Sequence, residues 1–307
     1  MITQETVLIL GAGASIPFGF PSGYRLLQEI CRKPDAILYR EKFKVLEFCG
    51  FAQSQIDEFR TKLARSGHTS VDAFLEHRKE FIDVGKAAMA AVLIPYERTE
   101  NLFEDMSENN WYQYLWSCLN VPVEEFESNR LSIVTFNYDR SLEQYLFTVL
   151  KNSYDLTDQD AAAKLNSIPI IHVHGRLGHL EWQPPHSLPV PYDSRITQEL
   201  IAMASKNIKI IHEDITKDKE FNEAHKLIES AKKIVFLGFG YNRTNLERLG
   251  IERLRRNGRV YGTALGLSKQ QKSMLAKLDI QYLFEDGRDH LVDTTIYEFL
   301  HDKFVFI

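Results

Sequence analysis

The sequence holds little cysteine, and what it holds is scattered. Among 307 residues only Cys31, Cys49 and Cys118 carry a thiol, and no two stand in Cys-x-x-Cys spacing. That excludes a disulfide-framed fold and a Cys-rich zinc site, and makes a reducing, cytoplasmic compartment the expectation. Long apolar runs are missing too. Val7-Leu8-Ile9-Leu10 and Ala87 to Pro95 are far shorter than the roughly 20 residues that span a bilayer, and no basic segment precedes the first. Neither a signal peptide nor a membrane contact is expected. Positive charge is not in excess: 37 Lys and Arg stand against 42 Asp and Glu, a formal net charge of -5. Such a balance argues against direct nucleic-acid binding. No Gly-Lys-Ser/Thr occurs, which removes the P-loop. What remains is a folded composition, 44% hydrophobic and 26% charged, in a chain long enough for two domains or one elaborated α/β unit.

The pattern along the chain favours the second. Thr6 to Leu10 is a continuous apolar run, as in a strand covered on both faces. Further strands are predicted at Leu131 to Thr135, Ile168 to Val173, Lys233 to Leu237, Arg259 to Ala264 and Asp279 to Phe284. Helical patterns separate them: Leu142 to Lys151, Thr197 to Ser205, Asn222 to Ala231, Asn245 to Arg256, Lys269 to Leu278 and Val292 to His301. This alternation predicts an α/β fold, a Rossmann-like open parallel sheet with helices on both faces. A helix is predicted at Gly23 to Cys31. From about residue 34 to residue 129 the pattern is helical only, including Gln53 to Arg65, Val84 to Ile94 and Trp111 to Leu119. The expectation is a single domain over residues 1–307 with residues 34–129 as a large helical insertion after the first strand. Thr69 and Asp72 have capping-box spacing, and Phe74-Leu75 repeats one heptad later at Phe81-Ile82.

Four strand ends carry the chemistry. Gly11-Ala12-Gly13-Ala14-Ser15 follows the first strand, where glycines let backbone approach a phosphate and a helix N-terminus would favour it. The turn departs from the dehydrogenase fingerprint. Ile16 stands where the third glycine belongs, and no second strand with a terminal acid follows in time. Thr135-Phe136-Asn137-Tyr138-Asp139 closes the second strand, at the sheet edge where open α/β folds bind ligands. Asp139 precedes a helix and reads equally as its cap. His172-Val173-His174-Gly175 ends the third strand. Period two puts both imidazoles on one face, yet no third ligand of suitable spacing stands nearby and no metal is expected. Phe236-Leu237-Gly238-Phe239-Gly240-Tyr241-Asn242 makes a second glycine turn.

In this order, from about residue 6 to residue 245, the four motifs resemble those of the sirtuin superfamily. Ser70-Val71-Asp72-Ala73-Phe74-Leu75 resembles its bacterial branch. Protein-deacetylating sirtuins carry a zinc module of two Cys-x-x-Cys pairs after the catalytic His, and between His174 and Gly238 there is no Cys at all. That departure, with the Asn-Tyr-Asp form and the helical insertion, resembles the sirtuin-like NADases of bacterial antiphage defence. The resemblance implies NAD+ as substrate, with Asn137 and His174 required for its cleavage. Gly11, Ala12, Gly13 and Ser15 would line the pyrophosphate, and Gly238, Gly240 and Asn242 would sit near the adenosine half. Thr135 and Asp139 belong to the same binding motif, with Asp139 bracing the ribose or only capping its helix. It further implies a homo-oligomer and a separate sensor, such as a DNA-translocating ATPase or an Argonaute-like protein. The helical block would be a gate, an oligomer interface or a plain lid. The apolar C-terminal Phe304-Val305-Phe306-Ile307 would dock on its own domain or on another subunit. Competing readings are a deacylase or ADP-ribosyltransferase, and a nucleotide-binding signalling module without turnover.

Overall fold

The computed structural model describes residues 1–32, 37–104, 110–184, 188–210, 218–250, 259–272 and 291–306, with side chains from residue 43 in the second stretch. Six strands form one sheet: β1 (Thr6–Leu10), β2 (Leu131–Thr135), β3 (Ile170–His172), β4 (Lys233–Leu237), β5 (Arg259–Thr263) and β6 (Leu291–Val292). All neighbours run parallel, in the doubly wound order β3-β2-β1-β4-β5-β6. The chain is therefore an open α/β fold of Rossmann-like order. The register aligns Leu10 with Thr135 and Leu237, and Thr135 with His172. All four sequence motifs thus leave the sheet at one edge, and the switch point lies between β1 and β4.

The apolar runs in β1 and β4 exist because helices cover both faces. Leu8 and Leu10 belong to one core, with α7 (Trp111–Leu119), α8 (Ser141–Tyr154) and α9 (Asp158–Leu165). Val7 and Ile9 point the other way, into a core with α11 (Lys219–Ser230) and α12 (Arg243–Leu249). A third core is all helical. It joins α1 (Gly23–Cys31), α2 (Ile37–Phe48), α3 (Gln53–Ala64), α4 (Val71–His77) and α5 (Ile82–Leu93) to α10 (Gln198–Asn207), which arrives from beyond β3. The short α6 (Thr99–Phe103) leads from this layer back to the sheet, its Leu102 already in the first core. Packing thus divides the 34–129 block. Its first part makes the helical core, while Trp111–Leu119 and Phe126 cover the sheet.

Several expected boundaries move. Ser70, not Thr69, caps α4, its hydroxyl accepting from the Ala73 N–H. Phe74 and Phe81 do stack, 6.0 Å apart, but across a break at Arg78 and not along one helix. The helix expected over Val292 to His301 starts late. Val292 pairs in β6, and Thr295 with Glu298 then makes a capping box for α13 (Ile296–Glu298). The helix α9, with Thr157 as cap, had no counterpart in the sequence pattern. The helix expected from Asn245 stops at Leu249, where Gly250 turns left-handed at φ 78°. Its remainder, the strand Asp279 to Phe284 and most of Lys269 to Leu278 lie outside the described residues. The C-terminal Phe304 packs on Tyr261 and Phe299, and Lys233 Nζ donates to Val305 O at 2.7 Å, so this tail docks on its own chain. Among the described residues no helix is long and apolar enough to cross a membrane.

Candidate functional site

A cleft of about 290 Å³ opens at the carboxyl ends of β1, β2 and β4, close to the lower bound of about 300 Å³ usual for small-molecule sites. The sheet supplies one wall and the helical layer, chiefly α1 and α4, supplies the other. Of the expected residues, Gly11, Ala12, Ser15, Asn137, Asp139, His174, Gly240 and Asn242 line it. Gly13, Gly238 and Thr135 stand behind the wall, and their contacts explain why.

The two glycine turns are pressed together, backbone against backbone. Gly13 N–H donates to Gly238 O at 2.9 Å. Gly238 sits at φ 57°, and a Cβ there would lie 2.2 Å from Ala14 N; one on Gly13 would lie 2.7 Å from Gly238 O. These glycines serve close packing of β1 on β4. Thr135 serves the next turn, its Oγ1 accepting from Asn137 N–H at 3.0 Å.

The first turn does not run into an α-helix. Pro17 stands in a second short 3₁₀ turn, and α1 begins only at Gly23 behind the cap Ser22. The expected helix dipole behind Ser15 is therefore absent. Most of the turn's N–H groups are also engaged: Gly11 with Leu237 O, Gly13 with Gly238 O, Ala14 with Gly11 O and Ser15 with Ala12 O. The N–H of Ala12 keeps no partner among the described residues, nor does that of Gly240 across the cleft. Among the described residues each glycine turn thus keeps at least one unengaged N–H at the cleft, that of Ala12 in the first and that of Gly240 in the second.

Asn137 is fixed unambiguously. Its Nδ2 donates to Gly11 O and to Ser15 Oγ, both at 3.0 Å. A carbonyl can only accept, so the amide nitrogen must face it and Oδ1 is left without a protein partner among the described residues. Ser15 Oγ passes its own proton to Asp139 Oδ2 at 2.8 Å. That hydroxyl is therefore committed within the protein and not offered to a phosphate. Asp139 Oδ1 accepts from Ser141 N–H at 3.2 Å and from the Ser141 hydroxyl, which also meets Tyr112 Oη at 2.7 Å. Asp139 caps the start of α8 and braces Ser15 at once. Burial raises its carboxyl above the usual range, against the pull of these two serines.

The two histidines part company. His172 is buried with Nδ1 on Asn137 O at 2.9 Å and Nε2 on Glu143 Oε1 at 2.6 Å. Burial pushes the Glu143 carboxyl up, but His172 and the nearby Arg176 together hold it below its ordinary value. His174 lies in the cleft wall, 7% exposed, against Phe136 at 5.2 Å and Tyr138 at 6.3 Å. Its Nε2 is buried with no hydrogen-bond partner among the described residues. Burial lowers its pKa below the ordinary histidine value. Among neighbouring charges Asp72, Glu76 and Asp218 resist that shift and Arg248 adds to it. The one-face arrangement expected for a strand fails because β3 ends at His172 and the chain turns before His174. Among the described residues no three His, Cys, Asp or Glu converge as a metal site.

Other site residues come from places the four strand-end motifs do not mark, although Asp72 lies in the Ser70–Leu75 segment that the sequence singles out. Asp72 and Glu76 of α4 line the far wall, and Glu76 meets Arg248 of α12 at 2.9 Å, bridging helical layer and sheet. The Tyr138 hydroxyl donates to Asp72 Oδ1. Arg140, wholly buried, pairs with Glu97 and donates to Val190 O at 2.6 Å, tying the helical block to the long loop after His174. Glu143 stands one helical turn after Asp139, a spacing that could have marked it. Glu97 to Arg140 spans too much chain for any local pattern. No family model matches this chain, and no curated protein matches it.

Proposed function

We propose that the protein hydrolyses NAD+ at the nicotinamide–ribose bond, giving ADP-ribose, nicotinamide and a proton. The observation that carries this reading is the buried, unpartnered Nε2 of His174 in the same cleft as the free Oδ1 of Asn137. A buried polar atom without a partner is destabilising, and such atoms persist where a ligand or a reaction uses them.

Nicotinamide in NAD+ leaves as a neutral molecule, so no acid is needed to expel it. The C1′–N bond breaks and its electron pair departs with the ring nitrogen. A water oxygen bonds to C1′ and its proton passes to His174, directly or through a ribose hydroxyl. A neutral imidazole is the form that accepts it, and burial shifts His174 toward that form. Asn137 Oδ1, an acceptor only, orients the water or the hydroxyl. The free N–H groups of Ala12 and Gly240 suit a pyrophosphate lying between the glycine turns. Asp139, Ser15 and His172 hold Asn137 from behind.

In this reading the chain is the effector of an antiphage system, as a homo-oligomer held in check until a sensor such as a DNA-translocating ATPase or an Argonaute-like protein releases it. The test is incubation with NAD+, alone and with the protein encoded beside it, following nicotinamide by chromatography. Nicotinamide and ADP-ribose in equal amounts are expected. Intact NAD+ under both conditions overturns the reading. Consumption only with an acylated peptide would assign a deacylase instead.

A further inference from the structure

We propose that Asp72, carried by the helical layer, contacts the substrate and holds its carboxylate against the cationic nicotinamide ribose. This rests on the NAD+ reading of the cleft and assigns the helical layer a chemical part in it.

The cleft is electrically lopsided. Its acidic and basic lining is Asp72, Glu76, Asp139, His174 and Arg248. Arg248 is engaged by Glu76, and the Asp139 oxygens by Ser15 and Ser141. Asp72 differs from both. Tyr138 occupies Oδ1, while Oδ2 has no partner among the described residues. The anchor is itself rigid, since Tyr138 is buried and sits between Asn137 and Asp139 in the turn after β2. The same tyrosine ring lies 6.3 Å from the His174 ring, so Asp72, Tyr138 and His174 form one continuous wall.

An acidic wall repels a pyrophosphate and attracts a pyridinium. The free Ala12 and Gly240 N–H groups do the opposite at the sheet edge. The cleft thus has a polarity that orients a dinucleotide, its cationic end toward α4 and its phosphates toward the glycine turns. During cleavage the positive charge moves from the ring nitrogen onto C1′ and the ring oxygen of the ribose. A fixed carboxylate beside that path stabilises it before and during the transfer, and preorganised charges act in this way.

The test compares Asp72→Asn, which keeps the shape and an oxygen acceptor for Tyr138, with Glu80→Gln, the same charge change on the exposed side of the block. In a His174→Ala background, Asp72→Asn should weaken NAD+ about 5-fold in calorimetry and leave ADP-ribose unchanged. A merely structural role would weaken both alike. With His174 intact, kcat for NAD+ should fall about 100-fold in Asp72→Asn and stay unchanged in Glu80→Gln. An unaltered preference for NAD+ over ADP-ribose in Asp72→Asn overturns the proposal. The binding arm needs no turnover. A wild type that binds NAD+ without cleaving it therefore rejects the hydrolase reading separately from the role of Asp72.

Discussion

Two imidazoles separated by one residue sit in opposite physical states. His172 has an acceptor on each ring nitrogen, Asn137 O and Glu143 Oε1. His174 has Nε2 buried without a hydrogen-bond partner among the described residues. The same contrast divides the whole sheet edge. In the cleft floor Ser15, Asp139 and Ser141 satisfy one another, and behind it Arg140 and Glu97 do the same. On its surface, Asn137 Oδ1, Asp72 Oδ2 and the N–H groups of Ala12 and Gly240 have no partner among the described residues. Satisfied groups hold geometry; open ones are what a ligand can still bind. The contrast predicts which substitutions damage the fold and which damage only the chemistry.

Exchanging the two histidines tests it most severely. His174→Ala should lower NAD+ cleavage about 10²- to 10⁴-fold, the usual worth of a general base, with stability altered by no more than about 1–2 kcal/mol. His172→Ala should do the reverse. It takes the hydrogen-bonded partner from the buried Glu143 carboxylate, leaving Arg176 at 3.9 Å, and should remove about 3 kcal/mol, read by denaturant titration. Equal effects on stability would dissolve the distinction. The pH profile separates the pair further. A base whose pKa is lowered by burial stays unprotonated into mildly acidic solution, so the rate should rise through a midpoint below the ordinary histidine value and then stay flat through neutrality. The charges facing His174 are Asp72, Glu76, Asp218 and Arg248, and Asp72 resists the lowering most. In Asp72→Asn the midpoint should therefore move to still lower pH.

Arg140 extends the satisfied side. Its guanidinium pairs with buried Glu97 and donates to the carbonyls of buried Val190 and half-buried His179. Arg140→Met should destabilise by about 3–5 kcal/mol, because the buried Glu97 loses its guanidinium partner. Arg140→Met with Glu97→Leu removes both charges and should recover most of that loss in the same thermal or denaturant measurement.

The order of difficulty in the sequence follows the same division. Strands β1, β2, β4 and β5 were legible because covered parallel strands leave continuous apolar runs, and the doubly wound alternation followed from them. Asn137 and His174 were legible because strand ends are where such sheets place ligands. The network behind them was not. Glu97 meets Arg140, and Asp72 meets Tyr138, across long stretches of chain, and a pattern of nearest neighbours carries no record of such pairs. The glycines misled for a related reason. Gly11, Gly13, Gly238 and Gly240 look alike in sequence, but only their packing shows which face the cleft.

Those glycines give the next test. Gly238→Ala adds a Cβ 2.2 Å from Ala14 N in a left-handed residue, whereas Gly240→Ala meets nothing within 4 Å. The first should destabilise by about 1–3 kcal/mol or more, since backbone on both sides cannot yield. The second should leave thermal stability within about 0.5 kcal/mol. If Gly240→Ala nevertheless raises the KM for NAD+, the open space beside it is ligand space.

A finer test lies at Asn242, where both states occur in one side chain. Its Oδ1 accepts from Thr244 N–H at 2.9 Å and so caps α12, the helix that carries Arg248 to the cleft. Its Nδ2 has no partner among the described residues, the inverse of Asn137. Asn242→Ala removes cap and amide together and should cost about 1 kcal/mol of stability. Asn242→Ser restores an acceptor for the helix and should recover that stability, but it offers no amide donor. If Asn242→Ser also restores the KM for NAD+, the residue is a cap alone and belongs with Asp139 on the satisfied side. If stability returns while KM stays raised, Nδ2 is a ligand contact, and an unsatisfied atom marks substrate space even on a side chain already spent on the fold.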